Sequence, residues 1–239
     1  MAVPTAEDPG PPDDAPLGEG FMTAGEIRAL ARRARIGPGD AVLDLCCGAG
    51  GPGRLVAAET GCRYRGVDRD PAAVAVARAS VGELDCTFEV ARVPPLPPGP
   101  FDVVLMLETM LAFRDKDPLL AAVAEALGPG GRFAFTVEEG EPLTRRERAA
   151  MPAADTVWPV PLPTLLDALR QHRLAIASIE DVTHRHRATA EARCRALESV
   201  PRRRAHKRSD RLLAAHRLWV RWLGSRRVRK YAIVAVVVR

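Results

Sequence analysis

The feature that most constrains this chain is the run Leu43-Asp44-Leu45-Cys46-Cys47-Gly48-Ala49-Gly50-Gly51-Pro52-Gly53. A strand-like apolar stretch enters a glycine-rich turn, and a proline then opens a helical pattern. Glycines at such a turn let backbone N–H groups approach a ligand closely at a helix N-terminus. Gly48, Gly50 and Gly53 satisfy G-x-G-x-x-G, and Asp68 follows at the distance where a carboxylate accepts hydrogen bonds from ribose hydroxyls.

The rest of the chain repeats the alternation that this turn begins. Strands are expected at residues 41–45, 63–67, 86–90, 102–107 and 132–137, with helices at 52–60, 71–81 and 118–127. Gly61 and Gly128 are expected to close two of these helices. Thr23 and Glu26 stand at capping-box spacing before a short helix that should run to about Arg35. A helix at 165–171, a strand at 174–182 and a final β-branched run at 231–238 complete the pattern. The expected fold is therefore α/β: a Rossmann-like sheet of seven mostly parallel strands, helices on both faces and a helical lid insertion.

Four segments follow from this reading. Residues 1–20, rich in proline, glycine and acids, should be a disordered acidic tail. Residues 21–182 are the core with its N-terminal helix, 183–225 the insertion and 226–239 the last strand. Within the insertion Leu212, Leu213, His216, Trp219, Val220 and Leu223 recur at helical spacing, so an amphipathic helix should lie as a lid over the substrate.

Charge is unevenly spread over the 239 residues: positions 201–230 hold twelve Lys or Arg against Asp210 alone, within a net charge of +5. A solvated helix face explains such a block as well as an anionic partner does. The apolar run at 232–238 is too short to span a membrane. The acidic start lacks the signature of a secretory signal, and five cysteines without ligand spacing give neither a disulfide framework nor a metal site. A cytoplasmic protein is expected.

Taken alone, the glycine fingerprint fits a dinucleotide. Asp44, at the strand's end, argues against that, because its carboxylate would repel a pyrophosphate and attract a cationic ligand. Residues 42–50 followed by Gly66-Val67-Asp68 resemble motif I and the acidic post-motif of class I S-adenosylmethionine-dependent methyltransferases. Phe101-Asp102-Val103-Val104 and Leu127-Gly128-Pro129-Gly130-Gly131-Arg132 extend the match. The run 48–54 and residues 136–163 most resemble bacterial small-molecule enzymes, including those that tailor natural products.

The resemblance implies S-adenosylmethionine as cofactor, Asp68 on its ribose, Gly48 and Gly50 lining it, and Asp44 near its methionine end. Cys46 replaces the usual first glycine, which should alter affinity without abolishing binding. Val90 stands where the family often has an acid for the adenine, so the backbone near Ala91 is expected to hold that ring; Glu89 should face the other way. Thr23, Arg69 and Leu107 complete the expected cofactor contacts.

Ligands of open α/β sheets lie beyond the carboxyl ends of the strands. There Glu108 is a candidate to orient a substrate or take its proton, and helix capping is its plainer use. His186, with His184 beside it in a polar stretch, is a candidate base. Phe21, Met110 and Trp158 are candidate walls of the substrate pocket, whereas Trp219 reads as core. Adjacent Cys46 and Cys47 would strain a disulfide, so redox use is disfavoured. The expected function is direct in-line methyl transfer to nitrogen, oxygen or carbon of a small molecule. A nucleic-acid (RNA) methyltransferase is the rival, with Arg202, Arg203 and Arg204 in its favour and the missing Asn-Pro-Pro-Tyr and Pro-Cys motifs against it. A non-methylating reaction on the same fold, such as a cyclisation, is the third reading. A homo-oligomer is left open.

Overall fold

The computed structural model describes residues 11–15, 17, 20–152, 156–199 and 207–238. Seven strands, β1 (Ala41–Leu45), β2 (Arg63–Asp68), β3 (Cys86–Val90), β4 (Phe101–Met106), β5 (Leu127–Glu139), β6 (Leu174–Asp181) and β7 (Arg229–Val237), form one sheet in the order β3-β2-β1-β4-β5-β7-β6. All neighbours run parallel except β7, which inserts antiparallel between β5 and β6. The strands read as apolar runs because helices cover both faces.

On one face Val42, Val103, Ala134 and Val234 meet Ile27 and Leu30 of α1 (Ala24–Arg33), Leu55 of α2 (Gly51–Thr60) and Val74 of α3 (Pro71–Ala79). On the other, Leu43, Leu45, Val104, Phe133 and Phe135 meet Leu119 and Leu120 of α4 (Asp117–Ala126) and Leu165 and Leu169 of α6 (Leu162–Gln171). Successive residues of a strand therefore serve opposite layers. The short α5 (Arg145–Ala150) lies in the β5–α6 connection.

Two local expectations are corrected. Gly128 does not close α4: the helix ends at Ala126, and Leu127 already pairs with Phe101, so β5 starts five residues early and bulges before Arg132 takes up the register with Val103. Among the residues expected in a disordered tail, 11–15 and 17 pack along α1. Gly25 N–H bonds Asp13 O at 2.9 Å, Ala24 N–H bonds Ala15 O at 2.9 Å, and Arg28 binds Asp13 at 2.6 Å and Pro11 O at 2.9 Å. Main-chain pairing supplies what the tail lacks in apolar side chains. The Thr23–Glu26 capping box at the head of α1 is present in both directions.

The segment after β6 is helical: α7 (Thr183–Glu198) and α8 (Lys207–Gly224) pack on each other. Leu218, Trp219, Trp222 and Leu223 of α8 form a third core with Leu143, Met151, Val157 and Val228, and Phe21 and Leu111 join it. Trp219 is thus a core residue, as expected, but Leu212 projects into solvent and Leu218 takes its place in the stripe. Arg202, Arg203 and Arg204 lie outside the described residues. Among those described, no helix is long and apolar enough to cross a membrane.

Candidate active site at the carboxyl edge of the sheet

Where β1 runs into α2 the backbone turns left-handed three times, with φ of 60° at Cys46, 55° at Gly48 and 72° at Gly50. At Gly50 a Cβ would come within 2.6 Å of the Phe88 ring, whereas at Gly48 it would meet nothing within 4 Å. The turn is packed from below and open above, as a cradle for a nucleoside must be. Asp68 braces it: one carboxylate oxygen accepts Gly48 N–H at 2.9 Å, and the other accepts Asp70 N–H at 2.9 Å ahead of α3. Exposed Val90, directly beside Asp68 in the sheet register, offers apolar surface for a base.

Several expected cofactor contacts are otherwise engaged. Asp44 is turned beneath the loop and buried, accepting the Tyr64 hydroxyl proton, and burial raises its carboxyl to about 7. So placed, its carboxyl is partly protonated near neutral pH, which weakens its repulsion of a pyrophosphate. Ala91 N–H is spent on Asp68 O at 2.9 Å. The Thr23 hydroxyl and N–H are taken by the capping box. Arg69 is exposed beside Asp68, Leu107 is partly buried at the end of β4, and Glu89 is turned onto Arg65 at 2.9 Å. Burial pushes the Cys46 thiol up to about 12, and neither it nor Cys47 is in a disulfide.

At the ends of β4, β5 and β7 the chemistry changes from main chain to side chain. Glu108 has a left-handed φ of 63°, rare for a residue with a Cβ, and its N–H bonds Thr136 Oγ1 at 2.7 Å. Its carboxylate accepts the Phe21 N–H, lies 2.7 Å from Lys230 Nζ and 3.4 Å from His186 Nδ1. Lys230 is fully buried and also pairs with Glu138, its register partner across β5 and β7.

These neighbours fix the charge states. Burial alone would raise Glu108, but Lys230, His186 and the Phe21 N–H outweigh it and hold the carboxyl at about 2. Burial depresses His186 to about 3 against the pull of Glu108, so its ring is neutral. Burial also raises Glu138, while Glu108 and Glu138 together keep Lys230 above its usual range despite desolvation. Glu108, Glu138 and His186 lie close enough to share a metal ion, yet the Lys230 ammonium already supplies a cation to both carboxylates.

Three sequence expectations fail here. His186 sits in the first turn of α7, buried, rather than in a polar loop, and burial lowers its basicity; His184 beside it is exposed. Met110 is fully buried in the α4–α6 core and walls no pocket. Trp158 has Arg148 at 3.7 Å and Arg114 at 5.0 Å from its ring centroid, so its ring is engaged by cations of the protein itself. Phe21 does reach the site. Thr136, Glu138 and Lys230 are not among the residues the sequence singles out; Glu138-Glu139 and Arg229-Lys230, charged pairs at the ends of the apolar runs of β5 and β7, are the available signal.

Residues 42–131 match a family described as "Methyltransferase domain". Methyltransferase GfsG of Streptomyces halstedii is 33% identical over 135 residues, covering 53% of this chain and 47% of that protein. The chain thus spans about half the length of this relative. Among solved structures, the cyclopropane synthase MmaA2 of Mycobacterium tuberculosis superposes with a TM-score of 0.81 at 14% identity, covering 89% of this chain and 83% of the other. Phosphoethanolamine N-methyltransferase 2 of Haemonchus contortus, solved with phosphomonomethylethanolamine and S-adenosylhomocysteine, gives 0.79 at 20% identity, covering 90% and 53%. These likenesses show the fold.

Proposed function

We propose that this chain, which carries a methyltransferase domain on the class I S-adenosylmethionine-dependent fold, transfers a methyl group from that cofactor to a small molecule. The observation that carries the reading is the left-handed Gly48–Gly50 turn, open above Gly48 and braced by Asp68, facing the Glu108 cluster along one sheet edge. When bound, the cofactor supplies an activated methyl on a sulfonium, so the protein's task is positioning and exclusion of water.

Asp68 retains lone pairs for ribose hydroxyls, the turn offers its backbone to the methionine portion, and Val90 packs on the base. Glu108, ionised down to about pH 2, serves as a fixed anion that orients an acceptor; a carboxylate so weakly basic is a poor proton acceptor at neutral pH. Helices α7 and α8 act as the lid, with the third core holding it against the β5–α6 connection. The rival nucleic-acid reading rests on Arg202, Arg203 and Arg204, and we place the enzyme in the cytoplasm with a small-molecule partner.

Calorimetry with S-adenosylhomocysteine and NAD tests the cofactor assignment. Binding of the first and silence with the second is expected; the reverse overturns it. Nucleic-acid affinity that falls steeply with salt and vanishes when Arg202, Arg203 and Arg204 are neutralised would favour the rival.

A further inference from the structure

The peptide between Gly20 and Phe21 crosses directly over the Glu108 carboxylate. Phe21 N–H donates to Oε2, and a Cβ at Gly20 would stand 2.6 Å from the same oxygen, so no side chain fits there while the contact is made. The Phe21 ring lies edge-on between two imidazoles, 4.7 Å from His186 and 5.0 Å from His216 by centroid. Leu17 N–H bonds Met22 O at 3.3 Å within the segment, and Ala15 and Asp13 clip it to α1 by accepting the first N–H groups of the helix. Asp13 and Ala15 are thus tied to α1, and Gly20–Phe21, the strap, to Glu108.

Nothing local holds Glu108 in this pose. Its left-handed backbone is intrinsically unfavourable for a side chain, and a buried carboxylate needs a partner. The partner comes from the far end of the chain: Lys230, on the strand that inserts beside β5, reaches Oε1 at 2.7 Å. Both carboxylate oxygens are then engaged, one by the ammonium and one by the strap.

We propose that Lys230 is a positioning residue of the transfer site, pinning Glu108 against the Gly20–Phe21 peptide so that the strap closes the acceptor side. The acceptor reaches Glu108 only by displacing Phe21. A molecule that does so and donates its own O–H or N–H to Oε2 restores the lost bond, which points to an acceptor bearing such a group. This assignment rests on the function proposed above; the latch itself does not.

Amide exchange on 15N-labelled, cofactor-free protein tests the latch. Gly20→Ala forces the strap off the carboxylate, Glu108→Gln removes the charge that Lys230 attracts, and Lys230→Met/Glu138→Gln removes the ammonium without stranding Glu138. Each is expected to speed exchange at the Phe21 amide at least tenfold while Val104 and Phe135 in the sheet stay protected. Glu138→Gln alone should leave Phe21 protected. Unchanged protection in Gly20→Ala and Glu108→Gln overturns the latch, whatever the folding of the Lys230 variant. Equal loosening by Glu138→Gln alone overturns the role of Lys230. Failure of S-adenosylhomocysteine to bind, measured separately, would strike the proposed function and leave the exchange result standing.

Discussion

Along one sheet edge, the ends of β1 and β2 work through the main chain, whereas the ends of β4, β5 and β7 work through charged side chains. The first region draws on residues twenty apart, Gly48 and Asp68, within one βαβ unit. The second ties Glu108 to Phe21 across 87 positions and Glu138 to Lys230 across 92. In a backbone cradle the loss of one side-chain contact costs a modest hydrogen bond, although Gly50 itself has no room for a side chain. Buried ion pairs are unforgiving, since removing one partner strands the other in a medium of low polarity.

The sharpest way to break this contrast is Lys230→Met. It leaves Glu108 and Glu138 facing each other without a counter-charge, and the expected loss of unfolding free energy is about 3–5 kcal/mol by chemical denaturation. A loss below about 1 kcal/mol would mean that the acidic region is not held by its ammonium.

That dependence also explains what could be read from the sequence. The seven strands, the capping box at Thr23 and the glycine turn each depend on neighbours within a few residues, and they stand close to where periodicity and spacing place them. Lys230 gains meaning only once β7 inserts antiparallel with Glu138 opposite it, a register that no local pattern encodes. His186 was misplaced for the same reason: its polar neighbours His184 and Arg187 are exposed, and only the tertiary approach of Glu108 and Phe21 buries the ring between them. Trp158 looked like a pocket wall because its flanking arginines come from two other segments.

The two regions should respond to acid with opposite sign. His186 is depressed from 6.5 to about 3 in the folded protein, so below pH 6.5 the unfolded chain takes up the proton and stability falls. Asp44 is raised from 3.8 to about 7, so between those values the folded protein takes up the proton and stability rises as pH falls. From pH 6.5 to 4.5 each contribution amounts to about 2–3 kcal/mol, and they largely cancel. Denaturation across that window should therefore show Asp44→Asn losing stability on acidification and His186→Gln gaining it. Parallel slopes in the two variants would show that the regions do not titrate as assigned. Below pH 4.5 the unfolded chain takes up the Glu108 proton while the folded protein holds that carboxyl at about 2, which adds a further loss.

A smaller effect is expected on ligand affinity in the glycine-turn region. Asp68→Ala removes a charged acceptor for ribose and releases the Gly48 and Asp70 amides, so S-adenosylhomocysteine should bind more weakly by about 1.5–3 kcal/mol in calorimetry. Glu108→Gln, on the other side of the contrast, should change that affinity far less. Equal losses would mean that the nucleoside lies across both regions.

The smallest effect belongs to Cys46, and it isolates the main chain from the side chain. Cys46 holds φ of 60° at the head of a turn whose other left-handed positions are both glycine. A side chain there costs about 1 kcal/mol of backbone strain, which Cys46→Gly would relieve. The substitution also gives the unfolded chain more freedom and removes a sulfur packed against the α4–α6 core, two terms that oppose the gain. The net change in stability should stay within about 1 kcal/mol. If the turn acts through its backbone, S-adenosylhomocysteine affinity should hold or rise a few-fold in Cys46→Gly, because the cradle keeps its N–H groups and loses only a side chain at its rim. A tenfold loss in calorimetry would show instead that the sulfur touches the ligand, and the cradle would then share the side-chain logic of the Glu108 cluster.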